Sequence, residues 1–120
     1  MKRLARYTLV GAVATAVHYA LLALVVEVLR WPAWLGSGIG AVAGAQVAFA
    51  GNRVFTFAHE GDIAPAWAKF QGTAAAGALL GMVIVGAGVR AGVHYLAAQV
   101  VATLASLLLT FAINRAWTFR

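Results

Sequence analysis

Two short stretches of the sequence share a polar signature, an Asn-Arg pair followed by alternating aromatic residues. Residues 52–57 read Asn-Arg-Val-Phe-Thr-Phe, and residues 114–119 read Asn-Arg-Ala-Trp-Thr-Phe. A planar guanidinium group donates paired hydrogen bonds to phosphate oxygens, and Arg6 and Lys69 supply two further cations, each just ahead of an apolar run. The pattern predicts a phosphate-binding site made of Arg6, Asn52, Arg53, Lys69, Asn114 and Arg115.

A second group of polar residues follows helical spacing. Near the end of the chain they recur every three or four residues, which on an α-helix keeps them within an arc of roughly 100°. Thr15 and His18 share one face in the same way near the start, together with Thr8 and Gly11. The spacing predicts a polar track along two helices, formed by Thr15, His18, Tyr95, Gln99, Thr103, Ser106 and Thr110.

The elements that carry these residues are four uncharged runs at 8–26, 35–51, 70–89 and 93–113. Each run has roughly 17 to 21 residues, so that as a helix it reaches about 25 to 32 Å, close to the hydrocarbon thickness of a bilayer. The composition agrees, because 63% of the residues are hydrophobic and 10% are charged. We therefore predict an all-α membrane protein with four transmembrane helices in a single domain, residues 1–120.

The connecting segments and charges give the expected orientation. Residues 30–34 and 90–92 predict tight turns, and residues 52–69 predict a surface loop. Seven Lys and Arg residues fall on the side of the termini and that loop, and two, Arg30 and Arg90, fall on the other. The positive-inside rule therefore places both termini in the cytoplasm. The first run is longer than the 7 to 15 apolar residues of a signal peptide, so we expect it to be retained.

The chain also repeats itself. The Asn-Arg signature recurs after 62 residues, and Arg6-Tyr7 recurs as Lys69-Phe70 after 63. The repeat units are about 6–57 and 69–119, and because each crosses twice, they should be related by an axis along the membrane normal. Small-residue faces let helices approach closely, and we expect the two units to pack through them. These faces contain Gly36, Gly40, Gly44, Gly77, Gly81, Gly88 and Gly92.

Several kinds of chemistry are disfavoured. The chain has no cysteine, and its three acidic residues, Glu27, Glu60 and Asp62, lie near or beyond helix ends. Paired carboxylates for acid–base or metal chemistry are thus missing inside the membrane, and no Gly-Lys-Ser or Gly-Lys-Thr phosphate loop is present. We expect no enzyme activity, no cofactor and no metal. The net charge of +6 is spread between apolar runs, which favours lipid head groups over nucleic acid as partners.

The basic-aromatic entry Arg6-Tyr7 with Gly11 after it, the two Asn-Arg exits and the four short helices together resemble the GtrA-like family of small bacterial membrane proteins. The resemblance covers essentially the whole chain. It implies translocation, or flipping, of a polyprenyl-phosphate-linked sugar such as a glucosyl lipid across the bacterial cytoplasmic (inner) membrane, for cell-surface polysaccharide synthesis. Family members often have an acidic or polar residue midway along the first helix, where this chain has His18.

Other interpretations remain open at the level of sequence. Arg6 and Lys69 can serve only to set topology and contact lipid phosphates, and Asn52 and Asn114 can simply end helices. The polar stripes can serve interhelical hydrogen bonding, and His18 can be a buried hydrogen-bonding group or a proton carrier. The protein as a whole can be a non-transporting anchor that recruits a membrane glycosyltransferase, a small drug exporter, or a homo-oligomer of any of these.

Overall fold

The computed structural model describes residues 2–51 and 63–113, with side chains described for residues 5–51 and 67–113. The described chain is helical, without strands: α1 (Lys2–Ala23) continues into a π-helix (Leu24–Val28), followed by α2 (Ala33–Gly51), α3 (Ile63–Arg90) and α4 (Tyr95–Ile113). All four α-helices are long and apolar enough to cross a membrane. The predicted all-α class with four spanning helices is confirmed.

The third helix begins earlier than its sequence suggested. Residues 63–69 were expected to belong to the surface loop, yet α3 already starts at Ile63, so that expectation was wrong for this segment. Pro65 is compatible with this start, because proline is tolerated in the first turn of a helix, where its missing N–H has no intrahelical partner anyway. Residues 52–62, the rest of the predicted loop, lie outside the described part of the chain.

Both predicted tight turns are present, and each uses a left-handed residue. After α3, Gly92 adopts φ +91°. The Val93 amide donates to the Gly88 carbonyl at 2.9 Å and the Gly92 amide to Val89 at 3.0 Å, which is the Schellman pattern of helix ends. After the π-helix the left-handed position is taken by Arg30, with φ 59°. Both turns reverse the chain within four residues, so consecutive helices become antiparallel neighbours.

The helices pack in chain order, α1 on α2, α2 on α3 and α3 on α4, whereas α1 and α4 lack comparable close backbone packing. The buried centre consists of small and medium side chains, among them Leu22 and Val85, both fully buried. Many large apolar side chains point outward, for example Leu108 at 73% exposed. An apolar exterior around a narrow core is what a bundle surrounded by lipid requires.

The glycine faces pack, but mainly inside each predicted unit. A β-carbon on Gly44 would meet the Ala14 carbonyl oxygen at 2.9 Å, and one on Gly40 would run into His18. In the other hairpin, a β-carbon on Gly88 would meet Ala98 Cβ at 2.9 Å. The expectation that these faces join the two units was therefore wrong for most of them. Gly81 is the exception, since its β-carbon would lie 3.6 Å from Ser37 Oγ on α2.

Contacts in the two hairpins recur with the spacing of the predicted repeat. Gly40 lies against His18. Ala102 follows Gly40 by 62 residues and Gly81 follows His18 by 63, and these two residues also lie beside each other. Ser37 and Gln99, which are 62 residues apart, are directly hydrogen-bonded at 2.6 Å. A contact between equivalent positions is what an axis between two parallel units would produce. The repeat stays a prediction, and these paired contacts support it.

A polar cavity as candidate functional site

A cavity of about 280 Å³ lies between all four helices. It runs from the level of His18 and Gln99 toward the end of the bundle where α1 and α3 begin. That end is where Val10 meets Gly51 and Gln46 meets Gln71, and it is the side predicted to be cytoplasmic. Six of the seven predicted track residues line the cavity: Thr15, His18, Gln99, Thr103, Ser106 and Thr110.

The deep end of the cavity is closed by a hydrogen-bonded cluster. Ser37 Oγ donates to Gln99 Oε1 at 2.6 Å, and Gln99 Nε2 donates to Thr103 Oγ1 at 3.1 Å. The Tyr19 hydroxyl is 2.7 Å from Thr103 Oγ1 and donates to the Gln99 carbonyl at 3.4 Å. Ser37 and Gln99 are each only 2% exposed. The cluster therefore fixes the Gln99 carboxamide in one orientation, because both of its polar atoms are engaged.

His18 is placed beside this cluster. Its ring stacks edge-on against Tyr19, with centroids 5.4 Å apart, and its Cδ2 atom faces Gly40. Its Nε2 atom is buried and has no hydrogen-bond partner within the described residues. A buried polar atom left without a partner costs free energy, so this nitrogen is available for a group that enters the cavity.

The polar groups nearer the open end are bonded locally. Ser106 Oγ donates to the Gly77 carbonyl at 2.9 Å and so joins α4 to α3. Thr110 Oγ1 donates to the Leu107 carbonyl of its own helix at 3.2 Å. Both hydroxyl oxygens can still accept a hydrogen bond while they donate. This part of the wall can thus hold a hydroxylated or hydrated group without losing its own contacts.

One predicted track residue lies outside the cavity. Tyr95 stands at the first residue of α4, at the opposite end of the bundle, where its hydroxyl donates to Glu27 Oε1 at 3.0 Å. The track predicted along the whole helix therefore stops at Gln99. Sequence reasoning also missed Ser37 and Tyr19. Ser37 had one signal, its 62-residue separation from Gln99.

The seam between α1 and α4 differs along its length. Toward the Tyr95 end it is bridged by the Tyr19–Thr103 and Tyr95–Glu27 hydrogen bonds. Toward the other end the cavity wall consists of Gly11 and Thr15 on α1, both exposed, and of Leu107 on α4, which is 60% exposed. The cavity is bounded there by side chains that also face the outside of the bundle.

The predicted phosphate site is only partly described. Arg6 and Lys69 are exposed, and each makes interactions of its own. They lie near the starts of α1 and α3, the end toward which the cavity runs. Asn52, Arg53, Asn114 and Arg115 lie outside the described residues, so their part in the site stays a prediction. Among residues 2–51 and 63–113 no three His, Asp or Glu side chains are grouped as a metal site would need.

Comparisons with known proteins agree with this architecture. A model of the family described as "GtrA/DPMS, transmembrane domain" matches residues 6–119. No curated protein and no solved structure gave a match. The family is linked to the handling of sugar lipids in membranes. With four apolar helices around a polar cavity and a match over nearly its whole length, the chain is a multi-pass membrane protein that belongs to the GtrA/DPMS transmembrane-domain family.

Proposed function

We propose that this protein moves a polyprenyl-phosphate-linked sugar from the cytoplasmic to the outer leaflet of the bacterial inner membrane, for use in cell-surface polysaccharide synthesis. It acts without chemistry of its own and is not an enzyme. The observation that carries the proposal is the polar cavity, lined by hydroxyl, carboxamide and imidazole groups, inside an otherwise apolar bundle.

The chemistry of the cavity suits a sugar. Polar side chains inside a membrane bundle are costly, and they commonly mark a substrate path. Neutral donors and acceptors such as Thr103, Ser106 and Gln99 match sugar hydroxyls, whereas a cationic or anionic substrate would call for an opposite charge within the cavity. At about 280 Å³ the cavity is near the lower end of the roughly 300–1,000 Å³ of small-molecule pockets, and it fits one small head group.

The phosphate would sit at the end of the cavity, at the depth of the lipid head groups. Arg6 and Lys69 lie at that end, and the predicted contributions of Asn52, Arg53, Asn114 and Arg115 come from segments that leave α2 and α4 there. Helix N-termini add unpaired amide hydrogens and a positive dipole end. The chain carries no ATP-binding motif, so the movement is either facilitated or pulled by consumption of the lipid on the far side.

The test is a translocation assay in liposomes with a fluorescent polyprenyl-phosphate sugar and an impermeant quencher. Thr15→Trp fills the cavity and should lower the translocation rate at least tenfold. Val13→Trp places the same bulk two residues away, where the side chain is 48% exposed and does not line the cavity, and should leave the rate unchanged. Equal rates in both variants would contradict the cavity as the substrate path.

The phosphate site has its own variants. Arg53→Lys and Arg115→Lys keep the positive charge needed for topology but lose the planar guanidinium group that donates paired hydrogen bonds to phosphate. The variants should therefore insert normally and transport poorly. Asn114→Ala should behave like them if the Asn side chain contacts the lipid. Full activity of both Arg→Lys variants at normal expression would reduce these residues to topology anchors and favour the accessory subunit that recruits a glycosyltransferase.

Orientation is tested independently of transport. The wild-type chain has no cysteine, so a single Asp62→Cys substitution gives a clean site for labelling. An impermeant thiol reagent added to intact cells should fail to label it and should react after permeabilisation. Ready labelling in intact cells would place this loop, and with it the termini, on the outside.

A further inference from the structure

The two seams between the predicted units are not alike, although the repeat makes them equivalent. In the α2–α3 seam, Gln46 and Gln71 exchange two hydrogen bonds of 2.7 and 3.2 Å, and the rings of Phe49 and Phe70 lie 5.4 Å apart. The positions equivalent to Gln46 and Gln71 in the α1–α4 seam are Leu108, 73% exposed, and Thr8, also exposed. Among the described residues, the α2–α3 seam is closed at the end where α1 and α3 begin, and the α1–α4 seam is not packed there.

The open stretch coincides with the cavity. Thr15 on α1 and Leu107 on α4 line the cavity and are exposed at the same time. Further along, the same seam is closed by the Tyr19–Thr103 hydrogen bond. The gap is therefore limited to the half of the membrane that contains the cavity. It connects a polar interior directly with the surrounding lipid.

We infer that the half-seam between α1 and α4 beside Thr15 and Leu107 binds the isoprenoid chain of an amphiphile whose head group occupies the cavity. This assignment rests on the proposed function. An amphiphile with its head inside the bundle must leave its chain in an apolar medium, and the chain cannot pass through a packed helix pair. Among the described seams, the α1–α4 half-seam is the one that joins the cavity to lipid without such packing.

A second apolar recess competes for this role. It is a groove of about 600 Å³ on the α2–α3 side, and Leu79 and Met82 are among its lining residues. Among the described residues, only Ala78 lines both the groove and the cavity. A chain lying in the groove while its head is in the cavity would have to cross between α2 and α3. The close approach of Gly38 to Met82 and the paired glutamines Gln46 and Gln71 block that crossing.

Photo-crosslinking distinguishes the two sites. A benzophenone amino acid replaces Leu107, and in matched variants Leu79 in the groove (62% exposed) or Leu108 on the lipid side. The probe is a radiolabelled polyprenyl phosphate, used with and without an attached glucose, in phospholipid nanodiscs. Labelling at Leu107 should be at least fivefold above that at Leu79 and should be abolished by excess unlabelled polyprenyl phosphate. Labelling at Leu108 should be weak and insensitive to this competitor.

Each outcome is decisive. Competable labelling at Leu79 instead of Leu107, or at none of the three positions in a folded protein, would overturn the assignment. Competable labelling at Leu107 in a protein that fails to translocate the sugar lipid would keep the binding site and remove the proposed function. Translocation without competable labelling at Leu107 would keep the proposed function and remove the chain-binding site.

Cross-linking supplies a second measurement. Thr15→Cys with Leu107→Cys, bridged by bifunctional thiol reagents of graded length, closes the half-seam. The control pair is Gln46→Cys with Gln71→Cys, which bridges the seam that is already closed. Binding of radiolabelled polyprenyl phosphate and translocation should both fall at least tenfold in the first pair and recover on reduction, and should persist in the second. Equal effects in both pairs would overturn the assignment.

Discussion

The two hairpins achieve close packing in different ways. In α1–α2, Gly40 and Gly44 of the second helix lie against the backbone of the first, so that a β-carbon on Gly44 would be 2.9 Å from a carbonyl oxygen. In α3–α4 the glycines are on the first helix and lie against small side chains. At Gly77 and Gly81 an added β-carbon would find ordinary contacts of 3.5 to 3.9 Å, whereas at Gly88 it would meet Ala98 Cβ at 2.9 Å. At these positions the first hairpin packs glycine against backbone atoms, whereas the second packs glycine against side chains. These side chains, Ser106 above all, supply the polar wall of the cavity.

The largest effect is expected at Gly40. In Gly40→Ala the new β-carbon would be 2.6 Å from His18 Cδ2 and closer still to the His18 carbonyl oxygen, and backbone atoms cannot move aside. We expect a loss of about 3 kcal/mol, at the upper end of overpacking effects, visible as a large drop in thermal stability in detergent. Gly81→Ala is the control and should stay within about 0.5 kcal/mol of wild type. Equal stability of the two variants would contradict the inference that glycine packs more tightly in α1–α2 than in α3–α4.

A smaller effect is expected from Ser37→Ala. The change leaves Gln99 Oε1 buried without its donor, at a cost of about 1 to 2 kcal/mol. In the Gln99→Leu background the same substitution should cost much less, because no acceptor remains to be left unpaired. Unfolding measurements on the full double-mutant cycle give the coupling energy. Additive effects would mean that the contact between the two hairpins contributes no stability.

Ser106→Ala should cost less again. It removes one hydrogen bond to the Gly77 carbonyl, and such interhelical bonds in membrane proteins average about 0.6 kcal/mol. The methyl group of alanine keeps the close packing of α3 on α4. Thermal stability should therefore change by a few degrees at most, while the translocation rate falls because the cavity wall loses a hydroxyl. A loss as large as that of Gly40→Ala would show that α3–α4 depends on polar contacts for its packing.

The smallest change is expected at Gly72. A β-carbon there would meet no atom of the described residues within 4 Å, so no described contact requires the glycine for packing. Gly72→Ala should leave thermal stability unchanged or slightly raised, since alanine is the better helix former. Gly11→Ala has equally open surroundings, yet Gly11 lines the cavity, so only in this variant should the translocation rate respond. A loss of stability in both variants would mean that these surfaces are covered by a partner.

The sequence predicted what depends on a single helix and missed what depends on neighbours. Run length was enough for four spanning helices, and periodicity was enough to place Thr103, Ser106 and Thr110 on one face. Neither can say which helix lies opposite, so the bond from Ser37 to Gln99 and the unpacked α1–α4 seam were not foreseen. Tyr95 shows the same limit, because its spacing fits the track while its position at the helix start brings it to Glu27.

The π-helix lies where the offset between the two predicted repeat units changes from 63 to 62 residues. Leu22 and Val85, both fully buried, are 63 residues apart in the sequence. The last helical residues before the two turns, Val28 and Arg90, are only 62 residues apart. In the predicted repeat, the first unit thus has one more residue between Leu22 and Val28, within the span that contains the π-helix, while α3 stays α-helical throughout. A π-turn accommodates a single inserted residue without rotating the helix before it. Homologous chains that lack one residue here should keep the cavity face of α1 unchanged, whereas a deletion near Thr15 would rotate part of that face by about 100°.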